Sequence, residues 1–121
     1  MVKDWNEMAA GLSKLVGEIR GGAPEAMKGF SALARGATAA GVLDAKTKEL
    51  VALALGIGAR CDGCLAFHAK AVVELGGTRE EVMEVIAMSV YMGGGPSLMY
   101  GALALEAFDQ FAALVPAPAE K

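Results

Sequence analysis

Apolar residues recur at steps of three and four along nearly the whole chain, a spacing that is typical of α-helices. No alternating run is long enough to indicate a strand, and glycine or proline interrupts each periodic stretch. We therefore predict an all-α fold, a single-domain bundle of about six helices over residues 1–121. The helices are predicted to begin near Asp4, Pro24, Asp44, Cys61, Thr78 and Pro96, and a loose tail is predicted from Pro116 to Lys121.

The same pattern predicts which residues face inward and where the third helix ends. Met27, Phe30 and Leu33 share one face of the second helix, so we expect them to be buried. Gly56 and Gly58 are expected to end the third helix, because glycine is a poor helix former.

Composition excludes several classes of protein. Hydrophobic residues make up 55% of the chain and charged residues 21%, which is too apolar for a disordered chain. The net charge of −3 offers no basic stripe to phosphates, so we expect no nucleic-acid partner.

A small domain has more surface per unit volume than a large one, yet this chain carries more apolar residues than one core should need. We therefore predict a homo-oligomer in which some of the apolar surface contacts another subunit.

Two segments bear on localisation. Val85–Leu105 is uncharged and about as long as a bilayer crossing, but Gly93–Pro96 breaks it, so two buried helices joined by a turn are expected and no membrane span. Residues 1–7 carry acidic side chains where a signal peptide has basic and apolar regions. Two cysteines three residues apart do not form the disulfide framework of a secreted protein. We therefore expect a cytoplasmic protein.

The clearest chemical motif is Cys61-Asp-Gly-Cys64, followed by His68, the only histidine. Cys61, Cys64 and His68 are at positions i, i+3 and i+7, so in a helix they share one face. Cα atoms three apart in a helix are separated by about 5 Å, within the range of a disulfide. The spacing therefore predicts a redox-active or metal-binding cysteine pair, although buried cysteine is often only a small hydrophobic residue.

Which thiol attacks is left open by the spacing. An ordinary thiol has a pKa near 8.5, so only about 3% is thiolate at pH 7. Both cysteines are expected in the first turns of a helix, where free N–H groups favour negative charge. The helix end favours Cys61 as the nucleophile, whereas His68, one turn from Cys64, favours Cys64.

Glu49 is a further candidate, with two interpretations. It leads into the uncharged run 50–59. It is either an exposed carboxylate that pairs with Lys46, or a partly buried acid that shuttles protons to a thiol or to His68.

A zinc site is another possibility for these residues. Cys61, Cys64, His68 and Glu49 have suitable ligand types. Such a site is disfavoured because three ligands from one short helix rarely complete a tetrahedron.

Together these residues resemble a known signature. Glu49, Cys61, Cys64 and His68 match the E-x11-C-x2-C-x3-H pattern of alkylhydroperoxidase AhpD-like proteins, in the carboxymuconolactone decarboxylase superfamily. The resemblance covers about residues 24–112 and includes three flanking segments, 41–49, 76–81 and 94–96.

The resemblance implies an all-helical trimer or hexamer that reduces organic hydroperoxides. Cys64 would be the peroxidatic residue that forms a sulfenic acid, and Cys61 would supply a proton and then resolve the acid as a disulfide. His68 and Glu49 would form a proton relay. An external dithiol, such as a dihydrolipoamide or a thioredoxin-like protein, would recycle the thiols, and no cofactor is implied besides the redox-active disulfide.

The chain also departs from the better-known peroxidases of this family. Those enzymes are longer and carry a second histidine between the cysteines, where this chain has Asp62 and Gly63. The branch that decarboxylates carboxymuconolactone lacks the cysteine pair, so decarboxylation is disfavoured here. The main alternative is a protein disulfide oxidoreductase or adaptor that passes electrons between thiol proteins without meeting peroxide.

Overall fold

The predicted all-α, single-domain architecture is confirmed. The computed structural model describes residues 1–116, so all but the first residue of the expected loose tail lies outside the described part. The described residues form six helices: α1 (Trp5–Gly22), α2 (Pro24–Thr38), α3 (Ala45–Ala59), α4 (Asp62–Glu74), α5 (Arg79–Gly93) and α6 (Gly95–Ala112).

Local side-chain caps explain where three helices begin. The carboxylates of Asp4 and Asp44 accept hydrogen bonds from backbone N–H groups three residues on, at 3.0 and 2.7 Å. Thr78 and Glu81 form a reciprocal capping box, with each side chain accepting from the other residue's N–H. Each of these caps depends only on neighbouring residues, which is why the helix starts near Asp4, Asp44 and Thr78 were predictable from the sequence.

The core lies around α4, which packs against both α3 and α6. Leu65, Ala66, Ala69 and Val72 of α4 are fully buried. The rest of the core comes from Trp5 and Ala9 of α1, Leu53 and Ile57 of α3, Val82 of α5, and Ala104, Ala107, Phe108 and Phe111 of α6. The N-terminal end of α4, which carries both cysteines, is thus anchored to this core by the rest of the helix.

The expected end of α3 was wrong. The helix continues through Gly56 and Gly58 to Ala59 and ends at Arg60, which adopts a left-handed conformation with φ of 57°. The Arg60 guanidinium donates hydrogen bonds to the carbonyls of Ile57 and Gly58 at the helix end, and the backbone N–H of Arg60 also donates to the carbonyl of Ile57. Gly56 is buried, so tertiary packing outweighs its low helix propensity.

The expected burial of α2 was also wrong. None of the residues 24–38 is buried, and Phe30 and Leu33 are 63% and 67% exposed. Met27 is only partly covered. Within residues 1–116 the helix packs against α1 and α3 and reaches no other helix. An amphipathic pattern shows which face of a helix is apolar, but it does not show that the same chain supplies a partner for that face.

The break in the uncharged stretch was predicted correctly. α5 ends at Gly93 and α6 begins at Gly95, with Gly94 between them at φ of 69°, a conformation that favours glycine. The expectation that both helices are buried holds only in part, because Met88 and Met92 are 61% and 79% exposed. Among residues 1–116, the helices lack the combination of length and hydropathy that a membrane-spanning segment needs.

Candidate active site

Cys61 and Cys64 lie at the start of α4 and are joined by a disulfide. Their Cα atoms are 5.2 Å apart, close to the separation expected from the spacing. Cys61 is the N-cap residue of the helix, and its Sγ accepts a hydrogen bond from the backbone N–H of Cys64 at 3.1 Å. The free N–H groups of a helix N-terminus favour negative charge, so this position suits a thiolate after reduction.

Gly56 allows α3 to approach the dithiol closely. A Cβ atom at this position would lie 3.1 Å from the Cβ of Cys64, tighter than ordinary van der Waals contact. The glycine that was expected to end α3 therefore has a different role, which is to let the two helices pack together at the site.

Glu49 of α3 contacts His68 of α4 directly. The Oε2 atom of Glu49 lies 2.7 Å from Nδ1 of His68. The Glu49 side chain is 12% exposed and that of His68 is 32% exposed. Lys46 instead pairs with Glu81 at 2.9 Å. The interpretation of Glu49 as an exposed partner of Lys46 is therefore wrong, and the interpretation of Glu49 as a partly buried neighbour of His68 fits the structure.

This contact sets the orientation of the imidazole. A carboxylate only accepts hydrogen bonds, so Nδ1 of His68 donates to Glu49 and Nε2 remains able to exchange a proton. His68 follows Cys64 by four residues in the same helix, a spacing at which side chains are neighbours. The arrangement therefore supplies a proton-transfer group, held by a carboxylate, one helical turn from a thiol.

A charged pair that the sequence did not indicate joins Lys3 to Asp62, the residue that follows Cys61. Nζ of Lys3 contacts Oδ2 of Asp62, and this hydrogen bond is the main cause that lowers the pKa of Asp62 and raises that of Lys3. The two residues are 59 positions apart. This pairing depends on where the first residues of the chain pack in the folded protein, so no local signal in the sequence could have revealed it.

The geometry does not favour a zinc site. Within residues 1–116 no group of three or more histidine, cysteine, aspartate or glutamate side chains is placed to hold a metal ion. In the disulfide form the two sulfurs that would serve as ligands are bonded to each other, and Nδ1 of His68 contacts Glu49.

Comparisons with known proteins agree with this architecture. A crystal structure of a carboxymuconolactone decarboxylase family protein from Legionella pneumophila, in its apo form, superposes with a TM-score of 0.88. It is 49% identical, and the match covers 89% of this chain and 96% of that one. A protein of the same family from Thermotoga maritima, for which involvement in the antioxidative response is suggested, superposes with a TM-score of 0.80. At 24% identity over 88% of this chain and 92% of that one, it shows the likeness of fold alone.

Sequence relatives extend over nearly the whole chain. An uncharacterised protein of Cupriavidus necator is 37% identical over 109 residues, which is 90% of this chain and 96% of that protein. An uncharacterised protein of Haemophilus influenzae is 35% identical, with the same coverage. The model of the carboxymuconolactone decarboxylase family matches residues 24–107, a segment that contains both cysteines, Glu49 and His68. With its six-helix fold and these matches, the chain belongs to the carboxymuconolactone decarboxylase family.

Proposed function

We propose that the protein is a thiol-dependent peroxidase that reduces hydroperoxides through a cycle of Cys61 and Cys64. The observation that carries this proposal is the disulfide in the first turn of α4 with the Glu49–His68 pair one turn further along. Peroxide reduction requires a dithiol that can form a disulfide and a nearby group that can transfer protons. The helical spacing of the two cysteines and the Glu49–His68 pair meet these two requirements.

In the first step, the thiolate of Cys64 attacks the distal oxygen of a hydroperoxide and breaks the O–O bond. The products are an alcohol, or water from hydrogen peroxide, and a sulfenic acid on Cys64. The leaving oxygen needs a proton, which the thiol of Cys61 supplies. Cys61 is left as a thiolate, and the proton that Cys64 lost on forming its own thiolate is held by His68 with the support of Glu49.

In the second step, the thiolate of Cys61 attacks the sulfenic acid, which forms the disulfide, and the hydroxide that departs takes the proton from His68 and leaves as water. An external dithiol, such as a dihydrolipoamide or a thioredoxin-like protein, then reduces the disulfide by two successive exchanges and is itself oxidised to a disulfide. A reducing compartment such as the cytoplasm would keep this donor supplied.

The experiment that tests this proposal compares peroxides with disulfides as substrates of the reduced protein. We expect steady-state consumption of an alkyl hydroperoxide in the presence of a dithiol donor. The alternative function, a protein disulfide oxidoreductase or adaptor, predicts reduction of disulfide substrates with peroxide left untouched. Peroxide consumption no faster than that of the donor alone would therefore reject the peroxidase and favour the adaptor.

We also propose that the protein works as a homo-oligomer, a trimer or hexamer, in which α2 packs against another subunit. The support is the apolar face of α2, where Phe30 and Leu33 are exposed in the single chain. An aspartate at this face would place a charge in the interface, which is costly without a partner.

Leu33→Asp is therefore expected to reduce the molar mass in solution from three or six times that of one chain to that of the monomer. Light scattering after gel filtration measures this change. Leu114→Asp serves as the control, because Leu114 is similarly exposed, at 62%, but lies outside α2. A wild-type protein that runs as a stable monomer would contradict the proposal.

A further inference from the structure

The first residues of the chain are fastened to α6 by a set of hydrogen bonds. The backbone N–H groups of Val2 and Lys3 donate to the two carboxylate oxygens of Glu106 at 2.6 and 2.8 Å. Nε2 of Gln110 donates to the carbonyl of Lys3 at 2.7 Å, and its Oε1 accepts from the N–H of Trp5 at 2.8 Å. The backbone of Lys3 is thus bonded through both its N–H and its carbonyl, which fixes the point from which its side chain extends.

From this point the ammonium group of Lys3 reaches Asp62, the residue that follows Cys61. Its Nζ lies 5.8 Å from the centre of the Trp5 ring and contacts Oδ2 of Asp62. The hydrogen bond from Lys3 lowers the pKa of Asp62, so the carboxylate is ionised at neutral pH. A full negative charge on the residue that follows Cys61 and a full positive charge on Lys3 therefore form an ion pair at the start of α4.

The two charges act on the thiols in opposite directions. A carboxylate next to a thiol disfavours the thiolate, and an ammonium group favours it. Both side chains are partly exposed, at 37% for Lys3 and 27% for Asp62, so water and salt reduce the effect of either charge to a few-fold.

Four other charged or titratable groups from α3, α4, α6 and the end of α3 are relevant here, and each has a partner of its own. Glu49 on α3 and His68 on α4 contact each other, and the Arg60 guanidinium donates to carbonyls at the end of α3. Tyr100 on α6 acts on Asp62, where it also lowers the pKa of the carboxyl group. Lys3 is thus the cation that contacts the carboxylate between the two cysteines.

We propose that Lys3 sets the reactivity of the dithiol by neutralising Asp62, so that the thiolate of the reduced pair forms in a nearly uncharged environment. Lys3 is a positioning residue for charge and touches no reacting atom. The inference deepens the proposed function, on which it rests, by assigning a role to the N-terminal segment and to the residue between the cysteines.

The test measures how fast iodoacetamide alkylates the reduced protein at pH 7, with the modified cysteine identified by peptide mass. The rate follows the thiolate fraction. Lys3→Met leaves Asp62 unneutralised and is expected to slow alkylation about threefold, whereas Asp62→Asn leaves Lys3 unneutralised and is expected to speed it about threefold. The double variant is expected to return close to the wild-type rate.

Two controls separate a charge effect from a loosened structure. Lys70→Met removes the same charge from α4 about 12 Å along the helix from Asp62, and it should leave the rate unchanged. At about 1 M salt, where the screening length falls to about 3 Å, the variants should converge on the wild type. A merely structural role predicts that both single variants change the rate in the same direction and that salt does not restore it, and either result would overturn the inference.

Alkylation does not depend on peroxide, so the two proposals fail separately. If the variants have unchanged alkylation rates and the protein consumes peroxide, the proposed role of Lys3 is contradicted and the proposed peroxidase function is supported. Opposite shifts in a protein that leaves peroxide untouched would establish the charge effect and reject the peroxidase.

Discussion

Replacing Cys64 with serine is expected to reduce peroxide consumption by about 1,000-fold or more and to abolish formation of a sulfenic acid. The hydroxyl of serine is not ionised at neutral pH and does not attack a peroxide as a thiolate does, so the first step is lost. The measurement combines peroxide consumption with a dimedone-type trap for sulfenic acid, located by peptide mass. Cys61→Ser is the matched variant, since it should give one turnover and then retain a trapped sulfenic acid on Cys64.

This pair of variants also decides which thiol attacks. The structure sharpens the question, because Cys61 is at the N-cap and accepts a hydrogen bond from Cys64 N–H, whereas Cys64 is one turn from His68. Sulfenic acid that forms without Cys64 and disappears without Cys61 would reverse the assignment. Both variants lose the disulfide, so a general effect of that loss cannot account for a difference between them.

The proton relay of Glu49 and His68 should contribute less to the rate of peroxide consumption than the nucleophile Cys64. Glu49→Gln keeps the size of the side chain and an oxygen that can accept from Nδ1 of His68, but it removes the negative charge that contacts the imidazole. We expect peroxide consumption to fall about 100-fold while sulfenic acid still forms on Cys64. Glu84→Gln, at an exposed glutamate of α5, is the control and should have no effect.

Replacing Trp5 with alanine is expected to lower the free energy of unfolding by about 3–5 kcal/mol. Trp5 is fully buried at the start of α1, and its indole N–H donates to Glu106 at 2.9 Å. The substitution leaves a cavity in the core and removes this hydrogen bond. Urea denaturation at one matched protein concentration measures the change, because assembly would make stability depend on concentration.

Two further variants separate the contributions of Trp5. Trp5→Phe keeps most of the apolar volume and loses the N–H donor, so it should cost clearly less than alanine. Val42→Ala, at an exposed position, should change the free energy of unfolding by less than about 0.5 kcal/mol. A loss below about 1 kcal/mol for Trp5→Ala would show that the N-terminal segment is not part of the core.

Much of the fold was predictable because helix formation is signalled locally. The helix starts near Asp44 and Thr78 were predicted within a residue. The break in the uncharged stretch was visible in Gly93–Pro96. The errors came from Gly56, whose low helix propensity was outweighed by packing on Cys64, and from α2, whose apolar face finds little cover in its own chain.

The candidate site also combines contacts that the sequence predicted with contacts that only the tertiary structure revealed. The sequence by itself determined that Cys61, Cys64 and His68 share one face of a helix, since side chains three and four residues apart are neighbours in any α-helix. Only the tertiary structure decided that Glu49, 19 residues before His68, contacts its imidazole, and that Lys3, 59 residues before Asp62, neutralises the carboxylate between the cysteines. The physical reason is that helical periodicity fixes contacts within one helix. Contacts between helices depend instead on how closely the backbones approach, as at Gly56, and on where the chain's first residues are held, as by Glu106 and Gln110.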